Sequence, residues 1–295
     1  MAPSLRTAIE AAIGAASKAP FRIGNAARAT GGCIHEAYRI EEKGGGRRYF
    51  VKCNGERFAE AFAAEMDGLE GLAAAGARVP RPLCRGSAAG QAFLVMEYLE
   101  LGSRGDWAQM GRMLAAMHRD SAAEFGWRRD NFIGATPQPN RRHRSWIEFW
   151  RDERLAPQLA LAKRQGLGSA LQERGARLIE HLPRLLAGHE PQASLVHGDL
   201  WSGNAAFLAD RAPVFFDPAV YHGDREADLA MSELFGGFPS PFYAAYREAW
   251  PLAAGYEARR DLYNLYHVLN HANLFGGGYG AQALAMMERL LAGRI

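Results

Sequence analysis

The sequence predicts an α+β fold in two parts: a small antiparallel-sheet lobe over residues 1–98 and a larger, mostly helical lobe over residues 99–295. Strand-like segments crowd into the first third, at residues 37–40, 48–53 and 92–97, with a turn at Gly44-Gly45-Gly46. Beyond Gly102 apolar residues recur at helical spacing, as in Trp107, Met110, Leu114 and Met117, then Trp146, Phe149 and Trp150, and later Leu262, Leu265, Tyr266 and Leu269. The boundary is expected between Glu97 and Gly102.

Residues 1–20 read as a short amphipathic helix interrupted by Glu10 and Lys18, without the continuous apolar segment of a secretory signal. After the two strands, Phe58, Phe62, Glu65, Met66, Leu69 and Leu72 form a helical stripe, closed by Gly76 and Val79-Pro80. Glu65 lies within that stripe. A buried carboxylate is costly without a cation, and Lys52, ending the preceding strand, is the natural partner. Such a pair holds a lysine against nucleotide phosphates. Alone it reads equally as a strand end and a part-exposed helix residue.

Composition narrows the function classes. The chain of 295 residues carries a formal charge of +3, too small to imply a nucleic-acid partner. No apolar run reaches the about 18 residues of a membrane span. Cys33, Cys53 and Cys84 are too few and too oddly numbered for a disulfide framework, which points to the reducing cytoplasm. Arg128-Arg129 through Arg141-Arg142-His143-Arg144 forms a basic stretch, read as a solvated connection or as a rim attracting anionic substrates.

The most informative stretch is Leu195-Val196-His197-Gly198-Asp199-Leu200-Trp201-Ser202-Gly203-Asn204, followed by the apolar run Val214-Phe215-Phe216 and then Asp217-Pro218. Aspartate, asparagine four residues between, then a strand ending in aspartate is the set that phosphoryl transfer from ATP requires. Asp199 would orient the attacking hydroxyl and accept its proton. Asn204 and Asp217 would hold Mg2+. His197 is expected to brace the loop and Asp228 to tie down its backbone; Trp201 reads as core packing or, from its place between Asp199 and Asn204, as a wall of the substrate pocket. His118 reads as a satisfied core histidine. Upstream, Gly31-Gly32-Cys33-Ile34 would let backbone N–H groups approach phosphates, although a plain hairpin turn explains it equally well.

The chain resembles the fructosamine (ketosamine) kinases of the aminoglycoside-phosphotransferase-like superfamily. The likeness rests on His197-Gly198-Asp199-Leu200-Trp201-Ser202-Gly203-Asn204, Asp217-Pro218-Ala219 and Gly223 through Ala230. It extends to Asp130-Asn131-Phe132-Ile133-Gly134, Thr136-Pro137-Gln138, Phe235-Gly236-Gly237-Phe238 and Leu269 through Gly276. The resemblance implies a bilobal protein-kinase-like fold, with Glu97, Tyr98 and Leu99 as the hinge offering backbone groups to adenine. It implies His271 and Tyr279 as pocket-lining residues. It also implies ATP-dependent phosphorylation of a sugar hydroxyl on a ketosamine, free or protein-bound. A phosphate on C3 becomes allylic on enolisation toward C1–C2, so elimination and hydrolysis then free the amine. Another alcohol, such as an aminoglycoside or choline, is the alternative acceptor.

Asp217 is followed by Pro218-Ala219 rather than Phe-Gly, and no Ala-Pro-Glu follows, so a phosphorylation-switched activation loop is not expected. Relatives with a cysteine at the Cys33 position suggest a redox-sensitive loop; the plainer reading is a small residue without a regulatory role. The chain is expected to be a monomer or a redox-linked homodimer.

Overall fold

The computed structural model describes residues 1–29 and 35–293. The chain divides into two compact units, residues 1–105 with 206–217, and residues 106–205 with 218–295. The sequence suggested one boundary near residue 98. The observed division lies seven residues later, and a short downstream segment returns to the first unit. The reason is local pairing: β6 (Leu101–Gly102) pairs with β11 (Ala205–Leu208), which in turn pairs with β12 (Pro213–Phe215).

The first unit is built on a five-stranded antiparallel sheet in the order β1 (Ile23–Arg28), β2 (Glu36–Glu42), β3 (Arg48–Gly55), β5 (Gln91–Glu97), β4 (Pro82–Ala88). Side chains alternate across a strand, so the two faces of β3 carry different chemistry. Val51 and Cys53 join Ile40, Phe93 and Val95 under Leu5, Ile9 and Ile13 of α1 (Pro3–Ser17). Lys52 faces the other way, toward α2 (Ala59–Ala74). Glu10, expected to interrupt the first helix, is instead buried within it, because it accepts hydrogen bonds from Ile23 N (2.8 Å) and Arg22 Nη1 (2.9 Å).

The second unit is mostly helical. It comprises α3 (Trp107–Met117), α4 (Trp146–Phe149), α5 (Ala156–Arg164), α6 (Ser169–Leu185), α7 (Glu226–Leu234), α8 (Ser240–Ala249), α9 (Tyr256–Phe275) and α10 (Tyr279–Leu291). The middle of α9 is buried on all sides: Leu262, Tyr263, Leu265, Tyr266, Val268 and Leu269 are each no more than 2 % exposed. Strands β7 (Ser121–Ala122), β10 (Ala193–Val196) and β13 (Tyr221–Gly223) form a small antiparallel sheet. The basic stretch read as a connection contains a hairpin, β8 (Asn131–Ile133) with β9 (Thr136–Gln138), followed by a π-helical turn over Trp150–Leu155. Short strands with Pro137 among them give little periodicity, so this element was not legible.

Candidate active site

In the first unit, Lys52 Nζ donates to Glu65 Oε1 at 2.6 Å and to Asp217 Oδ1 at 2.5 Å. The pairing expected from the apolar stripe is therefore made, and Asp217 completes a triad. Burial works against the lysine charge, but the Asp217 and Glu65 carboxylates more than offset it and hold Lys52 above its ordinary value. Burial, against the attraction of Lys52 and with the repulsion of Asp217, keeps Glu65 above the usual carboxylate range. Asp217 has φ +49°, the left-handed region that aspartate tolerates better than most side chains. Its carboxylate remains 47 % exposed, while Lys52 and Glu65 are nearly covered.

In the second unit, β10 delivers His197-Gly198-Asp199 into a loop anchored by Asp228 on α7. One Asp228 carboxylate oxygen accepts His197 N (2.7 Å) and the other accepts Gly198 N (2.8 Å). The first also meets His118 Nε2 at 3.0 Å, and His118 Nδ1 bonds the Tyr246 hydroxyl at 2.8 Å. Burial alone would raise the Asp228 pKa. The His118 hydrogen bond and charge, with the Gly198 N–H, reverse that and hold it low. Asp228 is thus the loop anchor the sequence suggested. His118 is satisfied as expected, through that anchor rather than through unrelated core packing.

Gly198 is dictated by geometry. Its φ is +81°, and a Cβ there would lie 2.0 Å from the Ala219 carbonyl oxygen. Asp199 N donates to His197 Nδ1 at 3.2 Å, so the histidine braces the turn. Asn204 is 7 % exposed and its Nδ2 donates to the Asp199 carbonyl (2.9 Å) and to Asp199 Oδ2 (3.1 Å). Those bonds engage the nitrogen end of the amide and leave its oxygen as the end available to a hard cation such as Mg2+, which prefers oxygen donors.

Trp201 lies against Gly203, where an added Cβ would sit 2.4 Å from the indole. Its ring centroid is 6.2 Å from Phe235, which is 4.8 Å from His271, which is 5.2 Å from Tyr279. The residues named as substrate contacts are therefore joined in one aromatic row, with Phe235 as the link. Gly276 and Gly277, with φ +65° and +60°, turn the chain after α9 so that Tyr279 returns to His271.

The remaining expectations concern the glycine turn, the cysteines and the hinge. Gly31, Gly32, Cys33 and Ile34 lie outside the described residues. Cys53 and Cys84 are free, and burial pushes their thiols up to about 12 and about 11, so neither is a ready thiolate. The Glu97 N–H is spent on the Arg81 carbonyl at 2.8 Å, and its carboxylate forks onto Arg78 Nη1 and Nη2 at 2.8 and 2.7 Å. Tyr98 lies beneath Arg39 and Arg48, 5.6 and 5.3 Å from its ring centroid.

In the basic stretch, Arg141 Nε donates to the fully buried Glu153 at 2.9 Å. His35, not singled out from sequence, packs on Phe58 and Phe62 and is held down to about 4 by burial and the Lys52 charge.

Among the described residues, His189, Asp224 and Glu226 approach one another as metal ligands would. Their oxygens are already engaged: Asp224 by His189 (2.6 Å) and Tyr263 (2.5 Å), Glu226 by Arg259 (2.7 and 2.9 Å). This cluster reads as a structural bracket.

The fructosamine kinase family model matches residues 5–293. The chain is 49 % identical over 276 residues to a "probable ketoamine kinase" of Synechocystis, covering 92 % of each chain. It is 42 % identical over 266 residues to the chloroplastic protein-ribulosamine 3-kinase of Arabidopsis thaliana, covering 88 % of this chain and 81 % of that one. Among solved structures, a candidate fructosamine-3-kinase from Haemophilus somnus superposes with a TM-score of 0.88 at 28 % identity, covering 96 % of both chains. By a match that runs over almost its entire length, the chain belongs to the fructosamine kinase family.

Proposed function

We propose that the protein transfers the γ-phosphoryl group of ATP to a sugar hydroxyl, at C3, of a ketosamine. The observation that carries this reading is the Asp199–Asn204 pair on its anchored loop. The base-like carboxylate and the ligand amide are bonded to each other at 3.1 Å, so neither rotates independently. Asp199 orients the acceptor hydroxyl toward the phosphorus and takes its proton as the new P–O bond forms and ADP departs. Lys52, kept protonated by Glu65 and Asp217, binds phosphate oxygens. Asn204 and Asp217 would hold Mg2+, which when bound offsets charge on the phosphates. The row Trp201–Phe235–His271–Tyr279 supplies apolar faces for the sugar ring and the substituent on its amine. With the Glu97 N–H committed to Arg81, an adenine donor in that stretch falls to Tyr98 or Leu99. Support for a ketosamine over choline or an aminoglycoside comes from membership of the family and the breadth of the match. A reducing cytoplasm suits the free Cys53 and Cys84.

The test is Mg2+-dependent ADP release with a fructosamine, a ribulosamine, choline and an aminoglycoside, with the phosphorylated carbon identified by 31P–1H correlation. Turnover confined to ketosamines with phosphate on C3 is expected. Preference for either other alcohol would replace the reading.

A further inference from the structure

We propose that Gln138 and Asn131, on the β8–β9 hairpin, are positioning residues that lock the backbone after Asp217 and, through it, the catalytic loop. The proposal rests on the roles given to Asp199 and Asp217 above.

Two side-chain amides converge on two consecutive peptide units. Gln138 Nε2 donates to the Ala219 carbonyl at 3.0 Å, and Asn131 Nδ2 donates to the Val220 carbonyl at 2.7 Å. The pair is internally braced, because Gln138 Nε2 also donates to Asn131 Oδ1 at 2.8 Å. Gln138 Oε1 accepts from the Tyr266 hydroxyl of α9 at 2.7 Å. Both Nε2 protons of Gln138 and its oxygen are therefore used. Gln138, Tyr266 and Asn131 are 0 %, 2 % and 4 % exposed, so the bonds form away from competing water.

The clamped segment is bonded directly to the catalytic loop. Ala219 N donates to the His197 carbonyl at 2.9 Å, and the Ala219 carbonyl is the group pressed against Gly198. Asp228 holds His197 and Gly198 through their N–H groups, while the amide clamp holds them through Ala219. Packing alone does not call for this arrangement: an apolar pair of similar volume would fill the same space without the desolvation cost of two amides. In kinases whose metal-binding aspartate leads into a switched loop, phosphorylation orders that loop. Here the corresponding backbone is fixed from Ala219 onward by side chains of the chain itself.

The experiment compares wild type, Gln138→Met and Tyr266→Phe. Methionine keeps the volume and removes the amide; phenylalanine deletes only the hydroxyl that orients it. MgATP binding is measured by calorimetry across Mg2+ concentrations, together with ketosamine turnover and Tm. Gln138→Met is expected to lower kcat about tenfold and raise the Mg2+ concentration for half-maximal MgATP binding about threefold, with smaller effects in Tyr266→Phe. A lower Tm with kcat and Mg2+ dependence within about twofold of wild type in the folded variants would overturn the proposal. If Gln138→Met does not fold, Tyr266→Phe decides alone by the same two readouts. A wild type inactive on every ketosamine would sink the substrate assignment, while the Mg2+ dependence of ATP binding still judges the clamp.

Discussion

Lys52 Nζ and Asp217 Oδ1 stand 2.5 Å apart although 165 residues separate them in the chain. With Glu65 on the other side of the ammonium, one buried cation is shared by two carboxylates, of which only Asp217 is substantially open to solvent. The arrangement keeps Lys52 charged where burial would strip its proton, and it presents the charge beside the exposed Asp217 carboxylate.

Removing that cation leaves Glu65 buried without a partner. Lys52→Met is expected to lose activity by orders of magnitude and to lower stability by about 3 kcal/mol. Adding Glu65→Gln should recover most of the stability and none of the activity. A double-mutant cycle on denaturant midpoints and kcat checks this; parallel recovery of both would mean that Lys52 has only a structural role.

Asp199→Ala and Asp217→Ala should fail differently. The first leaves MgATP affinity within about threefold of wild type while kcat falls about a thousandfold or more, because orientation and proton acceptance at the hydroxyl are lost while Asn204 keeps its bond to the residue-199 carbonyl. The second weakens MgATP binding as well. Calorimetric titration beside steady-state kinetics separates the two.

Gly198→Ala tests the contact with Ala219. A methyl 2.0 Å from a carbonyl oxygen cannot be accommodated without moving the loop, and φ +81° adds about 1 kcal/mol of backbone strain. A kcat loss of about a hundredfold is expected, measured well below the Tm of the variant.

Acid sensitivity should depend on His118. The folded Asp228 carboxyl is held below its ordinary value, so its stabilising contribution is fully present above the unfolded carboxyl pKa of about 3.9 and is lost as pH falls through the lower folded value. His118→Ala removes the largest stabiliser of that anion, so the folded pKa rises and the acid loss begins at higher pH. Tm measured between about pH 3 and 7 for both proteins checks it. Superimposable acid limbs would show that the bond contributes nothing.

Trp201→Ala and His271→Ala should raise KM for the ketosamine about tenfold, with KM for ATP nearly unchanged, if the aromatic row holds the acceptor. Equal rises for both substrates would move these residues out of the acceptor pocket.

Much of the site was written locally. Asp199, Asn204 and the strand preceding Asp217 are close in sequence, and their spacing follows from a loop short enough for each residue type to have one geometric role. Glu65 betrayed itself by standing inside an apolar stripe. The strand-then-helix order of the chain likewise came from periods of two and 3.6, which are local properties.

The tertiary structure decided what no local pattern encodes. Asp228 meets His197 from 31 residues away, His118 meets Asp228 from 110, and Tyr266 meets Gln138 from 128. Buried amides and histidines such as these look in sequence like ordinary core or loop residues. Their partners are chosen by how the helices of the second unit pack, and the Lys52–Asp217 pair by the return of residues 206–217 to the first unit. The sequence names the groups proposed to perform the chemistry, because residue type sets charge, donors and backbone freedom; folding decided which distant groups hold them still, because a hydrogen bond depends on position in space.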